Sequence, residues 1–213
     1  DRVMTQVFPT PKLPIDIDSI KGFLAEDEGA ALYDYALAAS KLGPCLEIGS
    51  YCGKSTVYLG QACQQNDRTL FALDHHRGSE EHQLGEEYHD PDLYDSGVEL
   101  MDSFRTFRTT MRNANLDDTV VPIVSSSAIA SRDWATPLGM LFIDGGHSEE
   151  AAQTDFRSWS TFIKPGGILA IHDIFPNPAD GGQAPYNIWK LAKASGLFEE
   201  LPTVNTLGLF RRK

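Results

Sequence analysis

The stretch from Leu42 to Ser55, LGPCLEIGSYCGKS, constrains this chain more than any other. Cys45, Leu46 and Ile48 form an apolar run that stops at Gly49, and a second run, Val57-Tyr58-Leu59, opens behind Gly53. The pattern predicts a strand, a tight glycine turn and a helix. Glycine lacks a Cβ, so Gly49 and Gly53 let the main chain turn sharply and approach a ligand. The first N–H groups of the new helix have no partner inside it and face whatever binds there. Open α/β sheets bind nucleotides at such turns.

Spacing separates the possible ligands. A dinucleotide fingerprint needs glycine where Tyr51 and Lys54 stand, and a phosphate-cradling loop needs one more residue than Ser50, Tyr51 and Cys52 supply before Gly53-Lys54-Ser55. Lys54 and Ser55 still leave a nucleotide-binding hydrolase or kinase as a reading from a different class. Glu47 would repel a polyphosphate, whereas it suits a ligand carrying an ammonium and a sulfonium. The pattern Glu47-x-Gly49-x-x-x-Gly53 after an apolar strand resembles the first motif of class I S-adenosylmethionine-dependent methyltransferases. That resemblance implies S-adenosyl-L-methionine as cofactor, with Glu47, Gly49, Ser50, Gly53 and Ser55 around it. A βα turn with no ligand is the plain alternative.

At 213 residues the chain suffices for one domain with a substantial core. Its formal net charge of −12 repels phosphate backbones, so no nucleic-acid partner is expected; Arg105, Arg108 and Arg112 are the one basic cluster. Cys45, Cys52 and Cys63 have no metal-ligand spacing and read as reduced thiols of a cytoplasmic protein. The longest apolar stretches, such as Ile168 to Ile171, are strand-sized, so neither a membrane span nor a signal peptide is expected.

Residues 1–17 carry Pro9, Pro11 and Pro14 and predict an extended arm; apolar positions from Ile20 to Ala36 recur at helical spacing, with Asp27-Glu28-Gly29 expected to separate two helices. Residues 1–40 thus form an N-terminal cover on a domain spanning 41–213, and this cover would suit a homodimer. Thr69 to Asp74 predicts a second strand. It ends in a carboxylate 27 residues after Glu47, near where a ribose-binding acid belongs, with a solvated strand-end acid as the alternative. Residues 75–102 form a mostly polar insertion, expected to act as a lid over the ligand mouth. Four of the six histidines lie in it, at 75, 76, 82 and 89, with irregular spacing that predicts surface groups. Met101 to Asn115 predicts a helix and Thr119 to Val124 a strand, followed by Ser125-Ser126-Ser127. In the resembled family this turn approaches the adenine, which makes Ser126 and Ser127 candidates; a helix N-cap cluster explains them as well.

A second constellation follows. Leu138 to Ile143 predicts a strand ending in Asp144-Gly145-Gly146-His147, and Ile168 to Ile171 predicts another ending in His172-Asp173, with a helix over 151–162 between them. Neighbouring strands lie about 4.8 Å apart, so Asp144 and Asp173 can share one hard cation with oxygens at about 2.1 Å. Two close carboxylates in so acidic a chain favour such a cation, although a helix cap and a solvated acid would also account for them. His147, at the start of a helix, tends to stay neutral and able to accept a proton. His172 is the weaker third ligand, because successive strand residues point to opposite faces. Tyr186 to Ala194 predicts a helix, and Phe198–Leu201 with Leu207–Arg211 an antiparallel hairpin.

Residues 42–174 resemble the metal-dependent O-methyltransferases of small molecules, most specifically in LFIDGGH (141–147) through PGGILAIHD (165–173). They look closest to the branch that methylates hydroxyls of glycosides, macrolide sugars and mycobacterial methylated mannosides. The resemblance implies a doubly wound, mostly parallel seven-stranded α/β sheet with a C-terminal antiparallel strand. It further implies magnesium on Asp144 and Asp173, His147 as base, Asp144 also at the cofactor, and a sugar hydroxyl as acceptor. His172 stands where that branch often has an acid. A catechol or phenylpropanoid O-methyltransferase would use the same residues on an aromatic diol and would show an aromatic-lined slot. The polar insertion and Asp180-Gly181-Gly182-Gln183 favour a sugar. A non-catalytic binding module on the same fold is a third reading.

Overall fold

The computed structural model describes residues 6–79 and 82–213. Nine strands are present among them: β1 (Cys45–Ile48), β2 (Leu70–Leu73), β3 (Tyr94–Asp95), β4 (Leu100–Met101), β5 (Val120–Ile123), β6 (Leu138–Ile143), β7 (Ile163–Ile171), β8 (Phe198–Val204) and β9 (Leu207–Arg212). The helices are α1 (Glu26–Ala39), α2 (Lys54–Gln65), α3 (Phe104–Asn113), α4 (Ser127–Ser131), α5 (Glu149–Trp159) and α6 (Ala184–Ala194).

Seven strands form one sheet in the order β5-β2-β1-β6-β7-β9-β8, and β3 pairs with β4 in a separate ribbon. The first five in that order are parallel, and β9 runs antiparallel between β7 and β8. This is the doubly wound Rossmann-like methyltransferase sheet expected. Strand order reverses between β1 and β6, where α/β sheets place ligands. Helices cover both faces, so β1 and β6 are buried at every position. The two edge strands carry Pro122 and Pro202, where a missing ladder N–H costs least.

Alternation along the strands divides the core. Cys45, Met140, Phe142, Ile168 and Ala170 pack with Leu32, Tyr58 and Phe107 of α1, α2 and α3. Leu46, Ile48, Leu141, Ile143, Leu169 and Ile171 pack with Trp159 and Ile188 of α5 and α6. At about 25 cal/mol per Å² of apolar surface removed from water, these two layers are the main source of stability.

The N-terminal region departs from expectation. Among the described residues only a short 3-10 turn, Ile17–Ser19, precedes a single helix, and Asp27-Glu28-Gly29 lies within the first turn of that helix rather than between two. Acidic residues suit a helix N-terminus, whose free N–H groups carry partial positive charge. Gly29 sits there because a Cβ would overlap the Tyr58 ring of α2. The insertion also contributes to the core through Leu93 and Met101. His76 is buried with Nδ1 2.7 Å from Ser103 Oγ, which corrects the expectation that all four of its histidines are surface groups. Among the described residues no helix is long and apolar enough to cross a membrane. Cys45, Cys52 and Cys63 are all unbridged and buried.

Candidate active site

Register brings the site together. Ile48 pairs with Leu73 and Ile143, Leu73 with Ile123, and Ile143 with Ile171. The next residues, Asp74, Gly49, Asp144 and His172, therefore form one row just beyond the sheet. The ladder continues into that row: Gly49 N donates to Leu73 O at 2.9 Å, Asp144 N to Ile48 O at 2.8 Å, and His172 N to Ile143 O at 3.1 Å. Because alternation has period two, all four face the α1–α2–α3 side of the sheet, the side that Glu47 already faces.

By the same alternation Asp173 would point to the opposite side. It does not, because its backbone is left-handed, with φ of 63°. The turned carboxylate reaches His147, whose Nε2 lies 2.9 Å from Asp173 Oδ2, and it faces His172 Nδ1 at 3.5 Å. Non-glycine residues rarely adopt this conformation, and where they do a functional constraint is a common cause. One ligand atom each from Asp144, His147 and Asp173 lies within 4.8 Å of the others. Two carboxylates and an imidazole that close are a donor set fitted to a divalent cation.

His172 is placed differently. It is buried, with Nδ1 3.1 Å from Asp144 Oδ1 and Nε2 2.9 Å from Glu28 Oε1, so both ring nitrogens are engaged by carboxylates. Burial alone would lower its pKa, but Asp144, Glu28 and Asp173 reverse that and raise it to about 11. An imidazolium offers no lone pair, and His172 stands outside the converging trio; the sequence had offered it as a third ligand. Burial pushes the Asp144 carboxyl up against the pull of His172. The Asp173 carboxyl is held down, burial being outweighed by the His147 hydrogen bond and the charge of His172.

Next to this cluster, Gly49 (φ 91°) and Gly53 (φ 96°) bound the turn into α2. Glu47 is fully buried, accepting from Ser55 Oγ at 2.6 Å and from Thr56 Oγ1. Burial pushes its carboxyl up to about 7, with the hydroxyl hydrogen bonds working the other way. Ser50 is buried beside the same carboxyl, and its hydroxyl also works to lower the Glu47 pKa. Asp74 accepts from Tyr51 N and His76 N, each at 2.8 Å, tying the glycine turn to β2.

A family model described as a methyltransferase domain matches residues 46–174. The chain belongs to this family. The methyltransferase is similar in fold to TomG from Streptomyces achromogenes, an O-methyltransferase involved in tomaymycin synthesis and solved in complex with SAM. The identity is 15%, the TM-score 0.62, and the match covers 90% of this chain and 82% of that one. The O-methyltransferase from Bacillus cereus in complex with SAH matches at 15% identity and TM-score 0.61, over 92% and 86% of the two chains. The SAH-bound Podospora anserina methyltransferase PaMTH1 matches at 15% and 0.60, over 90% and 80%.

In this methyltransferase the serine pair after β5 is engaged in the fold. Ser126 caps α4, its Oγ accepting from Ile129 N at 3.4 Å. Ser127 Oγ accepts from Trp159 Nε1 at 2.8 Å and donates to the buried Asp155, whose carboxyl burial raises to about 6. Gly145 has no side chain because a Cβ there would stand 2.6 Å from Asp155 Oδ2. Sequence reasoning missed Asp155, and it missed Glu28, which lies 144 residues from His172 in the chain. An acid in the first turn of a helix reads as a cap, and nothing local distinguishes one that also reaches across the sheet.

Proposed function

We propose that this methyltransferase transfers a methyl group from S-adenosyl-L-methionine to a hydroxyl of a sugar or glycoside, with His147 as base and a divalent cation held by Asp144 and Asp173. The convergence of Asp144, His147 and Asp173 on the rim next to Gly49 carries this reading. The donor fits on two observations: the close main-chain turn at Gly49 and Gly53, and the buried acid Glu47 beside it. Structural relatives solved with SAM or SAH support the same donor. Asp74 then serves the ribose, as its strand-end position suggests.

Asp144 and Asp173 would hold a hard divalent cation such as magnesium through their oxygens, and it would supply Lewis-acid chemistry that favours loss of the acceptor's hydroxyl proton. Asp173 Oδ2 lies 2.9 Å from His147 Nε2 and holds the ring at the rim. The His147 imidazole takes the hydroxyl proton as the acceptor oxygen bonds to the methyl carbon and the carbon–sulfur bond breaks, giving the methyl ether and S-adenosylhomocysteine. Asp173 stabilises the imidazolium that results. The remaining contribution is alignment of oxygen, methyl carbon and sulfur.

Methyl transfer from labelled S-adenosylmethionine to a panel of sugars, methylated sugars and catechols, with magnesium or with EDTA, tests the reading. Magnesium-dependent labelling of sugars is expected, and labelling that survives EDTA removes the cation from the reaction.

One observation favours an aromatic diol as a second reading. Rings run in a file from Phe23 to Tyr88 (6.3 Å), Tyr88 to His82 (6.4 Å) and His82 to Tyr51 (6.3 Å) beside the glycine turn, and Phe23 and Tyr88 are both exposed. Gln183 meanwhile turns its amide inward onto Phe175 O at 2.7 Å, which weakens the case that this loop recognises a sugar. The same panel separates the two acceptors.

A further inference from the structure

We infer that Glu28 of α1 is a positioning residue for the rim centre: it locks the His172 ring, and the ring aims the Asp144 carboxylate. The inference rests on the proposed reading of Asp144, His147 and Asp173.

The Glu28 carboxylate accepts four hydrogen bonds. Oε1 takes His172 Nε2–H at 2.9 Å and Ala25 N–H at 3.1 Å; Oε2 takes Thr206 N–H at 2.9 Å and Thr206 Oγ1–H at 2.6 Å. A carboxylate has about four lone-pair directions, so this one is saturated and cannot rotate without losing partners. Its side chain is only 2% exposed, so water would not replace a lost donor. An ionised carboxylate only accepts, which fixes a proton on His172 Nε2 and turns Nδ1 toward Asp144 Oδ1 at 3.1 Å. A half-turn of the ring would break both contacts.

Thr206 fixes the same assembly from the other side. While its N–H and hydroxyl hold Glu28, its carbonyl accepts from Ile174 N at 2.9 Å, one residue past Asp173. Asn205, in the left-handed conformation with φ of 54°, presents Thr206 in this way and donates from Nδ2 to Asp27 Oδ1 at 3.2 Å. The β8–β9 turn, the first turn of α1 and the end of β7 therefore meet on one carboxylate, and α1 takes part in the rim centre as well as in the core. Groups that orient metal-binding carboxylates in this way typically change metal affinity or activity 10- to 100-fold when replaced.

The test uses Glu28→Gln, Thr206→Val and Thr206→Ser. For each, the Kd of Mn2+ for the SAH-loaded protein is measured by electron paramagnetic resonance, along with kcat, the KM for S-adenosylmethionine and the melting temperature. Glu28→Gln is expected to weaken Mn2+ binding and lower kcat, each by about 10-fold or more, with that KM within about twofold of wild type. Thr206→Val should move both quantities in the same direction by less, and Thr206→Ser, which keeps the hydroxyl, should restore them. Wild-type Mn2+ affinity and kcat in both Glu28→Gln and Thr206→Val, with only the melting temperature lowered, would overturn the positioning role. Should Glu28→Gln fail to fold, the valine and serine pair decides the question. A wild-type protein that binds no Mn2+ and methylates no acceptor overturns the proposed function itself.

Discussion

Gly49 and Asp144, each the first residue beyond its strand, lie so close that a Cβ on Gly49 would overlap the Asp144 carbonyl oxygen and stand 2.9 Å from Gly145 N. Neither obstacle is the end of a flexible side chain, so nothing can swing aside. Gly49 also has φ of 91°, where L-residues are strained. Gly49→Ala is therefore expected to cost at least about 3 kcal/mol, combining backbone strain with displacement of the β6 rim. For a domain of this size that is a fall in melting temperature of roughly 6–12 °C. Calorimetry showing a shift below about 2 °C would mean the rim is more yielding than its geometry implies.

Glu47 links stability to pH. Burial raises its folded pKa to about 7 from 4.5 in the unfolded chain, so between these values the folded state keeps a proton that the unfolded state has released. Stability from this group is fully present below pH 4.5 and is lost as pH rises through 7, by about 3 kcal/mol in all. Glu47→Gln cannot ionise, so its stability relative to wild type should improve by that amount between pH 4.5 and 7.5. Urea unfolding of both proteins at the two pH values measures it; an unchanged difference would place the Glu47 pKa near its ordinary value.

Ser127 offers a contrast between a role in the fold and a role at the cofactor. Removing its hydroxyl leaves buried Trp159 Nε1 without its partner, a cost of about 1–3 kcal/mol. Ser127→Ala should be destabilised accordingly while binding S-adenosylhomocysteine within about threefold of wild type. Titration calorimetry showing a much larger loss of affinity would move Ser127 to the cofactor.

In the proposed reaction His147 would act as base and a divalent cation would assist the chemical step. His147→Ala should lower kcat by about 10²- to 10⁴-fold, with S-adenosylhomocysteine affinity within about twofold. Unchanged turnover would remove it as the base.

EDTA should abolish turnover in the wild type and added magnesium should restore it. Recovery with manganese but not magnesium would point to the His147 imidazole as a ligand, because nitrogen donors favour the transition metal.

Much of this was legible in the sequence because it depends on local pattern. Short apolar runs bounded by glycine, acidic or serine residues placed β1, β2, β5, β6 and the core of β7 to within a residue or so, and an acid at a strand end is a rim acid wherever the sheet is parallel. The boundaries of α1 were not legible, since Asp27-Glu28-Gly29 reads as a break until the Tyr58 ring is seen filling the space at Gly29. His76 read as a surface group because its burial depends on Phe104 and Phe107, whose rings lie 5.2 and 5.3 Å from it.

By itself the sequence determined the sheet, its rim and the residue types that stand there, because strand alternation has period two and glycine at 49 and 53 takes the turn's left-handed backbone without strain. Tertiary structure alone decided which groups face one another. The left-handed backbone of Asp173 turned its carboxylate to His147, and the arrival of α1 gave His172 a buried carboxylate partner at Glu28. Contacts between residues so far apart in the chain depend on packing of whole elements, and no local pattern encodes them.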